Sequence, residues 1–448
     1  MLITGDLVNS GERIGHEGFK KLLGKLTQAG KKVYVTTATH DYNGQGRDEN
    51  FFSATYYGKH STSKAEGVYK DELLSLYYDF GPASASSVHE SGSYSVEIQK
   101  GYRLIAINDN GNGRSHCGLF DDGFKWLEDE IVKAKANSEI VFLAVHHPVV
   151  PPWEVYEKLV EFEMFGGYRK LRELMCKYDI KVIFTGHTHI HGIKKYENAE
   201  GKSFYDVTTT SLVAARGKMR KVVFDKDNNT CDITSVEIDE IKGADLKGKS
   251  AYEYRYSLNF VGLLESLLPL AGKNWEEFLQ KAGSVLPVHK IYKQKKILVR
   301  LAKIFAKLKL PSLSKFVEKF NKAKPMKIVK FVFKRLMKIK MLTVARFAGK
   351  YCKLTKEDKK ALRGKLAIEP LFDVLEHIIP GNPPLTQNDP VYKVFYGVCL
   401  RADALLKLIG KDVSFIIKGM HSVAELADPF LRNTRTGNDD EIHIDLGE

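Results

Sequence analysis

Apolar positions in this chain follow two rhythms. Short, nearly continuous runs mark the first half: "LIT" (2–4), "KKVYVTTATHD" (31–41), "YRLIAIN" (102–108), "EIVFLAVHHP" (139–148) and "DIKVIFTGHTH" (179–189). Runs this short and rich in Val and Ile predict strands buried on both faces. Between them, "HEGFKKLLGKLTQAG" (16–30) ends at Gly30, and "DDGFKWLEDEIVKAKAN" (121–137) carries acids first and lysines last; both predict helices. Strands alternating with helices predict an α/β domain with a largely parallel sheet. From about 203 to 237 strand follows strand ("SFYDVTTTS", "MRKVVFD", "CDITSVEI"), which predicts antiparallel strands completing a layered domain over 1–245.

The second rhythm is helical. In "KILVRLAKIFAKLKL" (296–310), Ile297, Leu298, Leu301, Ile304, Phe305 and Leu308 share one stripe, with Lys296, Arg300, Lys303 and Lys307 opposite. "KIVKFVFKRLMK" (327–338) repeats the pattern. "DPVYKVFYGVCLRADALLKLIG" (389–410) predicts a helix that Asp389 caps, Pro390 starts and Gly410 ends. These segments predict a basic, mainly α-helical domain over 250–430, followed by an acidic tail over 431–448.

Charge sharpens that division. The 448 residues carry a formal +14, yet Lys281 to Lys365 alone holds 27 Lys and Arg against Glu318, Glu357 and Asp358. The rest of the chain is therefore net acidic. Five widely spaced cysteines with no C-x-x-C pair suggest a reducing, cytoplasmic setting and exclude a zinc knuckle or disulfide framework. No apolar run approaches the roughly 18–20 residues of a membrane span. The lysine-faced stripes fit a solvated bundle or a peripheral contact with an anionic membrane through 290–350. Nucleic acid fits less well, because few aromatics interrupt the basic face.

Candidate chemistry sits where the buried strands end. Asp6, His40-Asp41, His146-His147 and the His187/His189 pair each follow an apolar run directly. In an open parallel sheet the carboxyl ends of the strands share one edge, where ligand sites form. One such residue is ordinarily a turn former or a hydrogen-bonded loop histidine; four groups at corresponding ends point to a site. Imidazole with carboxylate is the ligand set for Mn, Fe or Zn.

In "GDLVNSG" (5–11), "THDY" (39–42), "VHHPVVPP" (145–152) and "GHTHIHG" (186–192) the chain resembles the calcineurin-like metallophosphoesterases, over roughly residues 1–240. The resemblance implies a sandwich of two β-sheets flanked by helices, holding two divalent metal ions. Asp6 would bridge the metals, with His146 and His187 on one and His189 on the other. His40 would contact the substrate phosphate and protonate the leaving oxygen, oriented by Asp41. Thr39 stands at the family's Asn ligand and would be a weak one. His147 and His191 match no ligand position. The family's first strand, carrying D-x-H, would lie upstream of Met1 in a longer version of the protein.

The expectation is thus a metal-dependent phosphoesterase, a hydrolase that cleaves phosphodiesters with a metal-bridging hydroxide. Its rivals are a catalytically impaired phosphate-ester-binding protein and a membrane-associated protein acting through its basic helices.

Overall fold

The computed structural model describes residues 1–44, 53–57, 62–110, 117–153, 156–258, 338–367, 385–408, 410–415, 421–432 and 439–447. The described residues of Met1–Ala244 and Asn433–Glu448 form one compact unit, and those of Asp245–Ile378 and Pro383–Arg432 a second.

The first unit is built on strands. β1 (Leu2–Thr4) and β2 (Tyr34–Thr36) pair in parallel, and β3 (Thr55–Tyr57) and β4 (Thr62–Lys64) form a small hairpin. The main sheet has seven strands: β5 (Ser87–Val88), β6 (Tyr94–Gln99), β7 (Tyr102–Ala106), β8 (Ile140–Ala144), β9 (Val182–Thr185), β10 (Gly192–Glu197) and β11 (Ser203–Thr208). Their spatial order is β10-β11-β9-β8-β7-β6-β5. β7, β8, β9 and β11 run parallel, and the outer strands β5, β6 and β10 pair antiparallel to their neighbours. This is the sheet the strand–helix alternation predicts, with the chain reversing only at its edges.

Both faces are covered, which is why its central strands read as unbroken apolar runs. On one face Ile105, Val141, Leu143 and Ile183 pack with residues of the helices that follow α1 (Arg13–Gln28), α2 (Asp121–Ala136) and α3 (Tyr168–Lys177), among them Leu127, Ile131, Leu171 and Met175. On the other, Leu104, Phe142, Phe184 and Val207 pack against Cys231, Ile233 and Ile444. Those last residues belong to a second, three-stranded sheet of β12 (Lys218–Asp225), β13 (Thr230–Glu237) and β14 (Glu441–Asp445). The result is the layered β-sandwich flanked by helices. Helix α1 (Arg13–Gln28) forms a smaller core through Leu23 with Val33, Val35, Tyr77 and Phe80.

β14 corrects one expectation. The segment read as an acidic tail is, over Glu441–Asp445, a strand antiparallel to β13 with Ile444 opposite Cys231. Its acids face outward while Ile442, Ile444 and Leu446 join the sandwich core. The alternation of period two, not the net charge, decides its state.

The second unit is mainly helical among the described residues: 251–258, 341–348, 356–361, 390–408 and 423–432. Asp389 caps Pro390–Leu408 by accepting the Val391 N–H at 2.7 Å, and Gly410 takes the left-handed φ of +64° that stops it. The lysine-faced stripes at 296–310 and 327–337 lie outside the described residues. No helix among the described residues is long and apolar enough to cross a membrane.

Candidate metal centre

Parallel β7, β8 and β9 deliver their carboxyl ends to one edge of the main sheet, and β1 is tied to that edge by a single bond. The His146 Nδ1–H, just past β8, donates to the Thr4 carbonyl at the end of β1, at 2.6 Å. The chain between them is tight. Gly5 has a φ of +89°, and a Cβ there would stand 2.8 Å from Ala38 Cβ and 2.9 Å from His146 Nδ1. Only glycine fits, and it turns Asp6 toward the histidines.

Asp6, His146 and His187 each offer one ligand atom within 4.8 Å of the other two. Asp6 Oδ2 lies 3.0 Å from His146 Nε2. With Nδ1 committed to Thr4, Nε2 is buried and has no hydrogen-bond partner among the described residues. A carboxylate and an imidazole lone pair this close repel unless a cation stands with them, whether a proton or a metal ion. Burial opposes charge on His146, but the charge and contact of Asp6 hold it up at about 9. Burial likewise opposes ionisation of Asp6, and the imidazoles of His146, His40 and His187 hold it far below the usual carboxylate range. A divalent ion would take the proton's place here, and oxygen with nitrogen donors suits Mn, Fe or Zn. The residues present fit such an ion.

His187 enters from Gly186 past the end of β9. Its ring lies 5.3 Å from that of His146 and 4.1 Å from that of His147, centroid to centroid. Its Nε2 meets Glu163 Oε2 at 2.7 Å. Burial, then the like charge of His147, depress it to about 3, so it is neutral at physiological pH with a nitrogen lone pair to give. Asp6, His187 and His189 all adopt left-handed φ values, 53°, 63° and 58°. Such conformations cost a non-glycine residue energy and concentrate at functional sites.

The remaining sequence-selected residues separate. His40 sits in a 3₁₀ turn, Thr39–Asp41, with its backbone N–H 3.2 Å from Asp6 Oδ1. Its ring Nδ1 meets the Asn9 carbonyl. Asp41 does not orient that ring as the resemblance implied. Its carboxylate instead accepts the backbone N–H groups of Leu7 (2.6 Å), Val8 (3.2 Å) and Ala38 (2.8 Å), pinning the Asp6 loop to the His40 turn. Thr39 is buried in the same turn. His189 is exposed and outside the three-residue cluster. His191 is buried and bonds Ser235 Oγ at 2.7 Å, joining its loop to the second sheet.

Two residues escaped the sequence reading. Asp109, three residues past β7, takes both the backbone N–H and the ring Nδ1 of His147, at 2.8 and 2.7 Å. It follows a strand just as Asp6 does, so its position carried the same signal. Glu163 lies in "EFEMFGG", where nothing local marks it.

Residues 1–191 match the model of the calcineurin-like phosphoesterase family. No curated protein matches the chain. Among solved structures, the chain is similar to a dimetal phosphatase from Danio rerio, with 10% identity over 52% of this chain and 79% of that one and a TM-score of 0.38. Asp6, His40, His146, His187 and His189 all lie inside the matched span, and residues 1–191 are thus similar to the calcineurin-like phosphoesterases.

Proposed function

We propose that this chain hydrolyses phosphodiesters at the Asp6–His146–His187 edge, using two divalent ions. The observation that carries the reading is the buried His146 Nε2, 3.0 Å from the Asp6 carboxylate and without a hydrogen-bond partner among the described residues. Asp6 would bridge the ions, His146 and His187 would hold one, and His189 the other, with Thr39 a weak ligand. When bound, the ions supply the positive charge and the acidified water that attack on a phosphate anion requires.

The chain's own groups do the rest. The Thr4 carbonyl fixes the His146 tautomer so that Nε2 faces Asp6. His40 donates Nδ1–H to the Asn9 carbonyl, so the proton it can give a leaving oxygen is the one on Nε2. The three backbone bonds of Asp41 hold the Asp6 loop and the His40 turn at a fixed separation.

Turnover of chromogenic phosphodiesters and phosphomonoesters with added Mn²⁺ tests this. Diester hydrolysis exceeding monoester hydrolysis is expected; the reverse order overturns the diester preference. Thr39, a poorer ligand than the family's Asn, favours a second reading, a phosphate-ester-binding module. Two bound metal equivalents with turnover support the enzyme, and one or none without turnover supports the module.

A further inference from the structure

The geometry points to Glu163 as a positioning residue for His187, one that dictates which ring nitrogen is free to bind a metal. This rests on the metal-centre reading above and adds to it a carboxylate contributed by a different part of the chain.

A neutral imidazole carries one N–H and one lone pair, and only the lone pair can bind a metal. Glu163 Oε2 stands 2.7 Å from His187 Nε2, and a carboxylate there accepts a hydrogen bond and cannot donate one. The proton therefore belongs on Nε2, and Nδ1 keeps the lone pair. Nδ1 has no hydrogen-bond partner among the described residues, while His187 offers a ligand atom within 4.8 Å of Asp6 and His146. Three imidazoles at this edge share the pattern, each with one nitrogen held by an oxygen: His146 by the Thr4 carbonyl, His147 by Asp109, His187 by Glu163. Thr4 ends β1 and Asp109 lies just past β7, whereas Glu163 comes neither from a strand nor from the turn directly after one. It ends a 3₁₀ turn, Glu161–Glu163, just after the helix Tyr156–Val160.

That segment is anchored independently of the Glu163–His187 contact. Arg169 of α3 bonds Glu161 at 2.8 Å and Glu157 at 2.9 Å. Tyr168 also bonds Glu161, at 3.1 Å. Loss of the Glu163 carboxylate and loosening of the segment can therefore be separated by mutation.

Titration of the metal-free protein with Mn²⁺, followed by calorimetry, tests the assignment. Glu163→Ala should weaken Mn²⁺ affinity about 10–100-fold, the usual cost of losing the outer partner of a ligating histidine. Glu163→Gln, whose amide oxygen still accepts the Nε2–H, should weaken it less. Arg169→Ala, which removes one anchor of the segment but keeps the carboxylate, should stay within about twofold. In the cobalt-loaded protein, one solvent-exchangeable imidazole N–H resonance should shift or vanish in Glu163→Ala and persist in Arg169→Ala. Melting of each metal-free variant confirms folding. The proposal is overturned if Glu163→Ala binds Mn²⁺ like wild type while His187→Ala loses it. It is equally overturned if Arg169→Ala weakens binding as much as Glu163→Ala. If wild type binds no Mn²⁺, or His187→Ala binds it unchanged, the metal-centre reading itself fails.

Discussion

Gly5 and His187 show how little room single residues have at this edge. Alanine at 5 would have to hold a φ of +89° and place its Cβ against Ala38 and the His146 ring. Gly5→Ala should cost about 2 kcal/mol or more in urea unfolding and lower metal content as Asp6 turns away. His187→Ala should reduce metal content and rate together, since it removes a donor. His40→Ala should lower the rate on the order of 10²-fold while leaving most metal in place, because in the proposed reaction its ring would serve the leaving group. Elemental analysis beside rate measurements separates the two, and full activity in His187→Ala would sink the site assignment.

At the scale of elements, buried carboxylates hold the site loops to the sheet. Asp206, on β11, accepts the N–H groups of Val149 and Val150, each at 2.8 Å, and the Thr185 hydroxyl at 2.5 Å. It thus clamps the loop after β8 to the end of β9. Asp206→Ala leaves those donors buried without partners and should cost about 2–4 kcal/mol in thermal or urea unfolding; an unchanged melting point would show that the loop holds itself. Much of this architecture was legible in the sequence because strand periodicity is local. The runs ending at Asp6, His40, His146 and His187 are strands or lead directly from them; parallel order accounts for the shared edge of β8 and β9, while β1 and β2 form a separate pair joined to it by the Thr4–His146 bond. What was not legible depends on distant chain. Asp41 follows His40 in sequence, yet its carboxylate turns to the backbone of the Asp6 loop, a partner only tertiary structure supplies. Glu163 reaches His187 from a segment with no periodic signal. β14 was hidden differently: Ile442, Ile444 and Leu446 do alternate with polar residues, but the surrounding acids made the stretch read as solvated.

For the molecule as a whole, the Asp6–His146 pair makes stability, metal binding and pH interdependent. In the metal-free protein His146 titrates at about 9, above the 6.5 of an ordinary histidine. A raised folded-state value gives stability that is complete below about pH 6.5 and lost as pH climbs through 9. Asp6, held low, gives stability present above the ordinary carboxylate range and lost only in strong acid. Melting of the metal-free protein should therefore fall between pH 6.5 and 9, by an amount on the order of 1–3 kcal/mol. Over the same interval Mn²⁺ affinity should rise, because the ion no longer competes with a proton for Nε2. Melting curves independent of pH across that window would show that the pair shares no proton.

The pairing of β14 with β13 also has a consequence for how the protein is made. Between Glu237 and Glu441, the neighbouring ends of those strands in sequence, lie about 200 residues. At roughly 5–20 residues per second, a ribosome needs about 10–40 s to add them. Throughout that interval the residues of the metal centre have already emerged, while the β13 edge waits unpaired and the Cys231 and Ile233 side of the sandwich lacks Ile444. An open strand edge invites pairing with another nascent chain or capture by a chaperone. A strand made about 200 residues after β13 thus closes the sandwich that β13 belongs to.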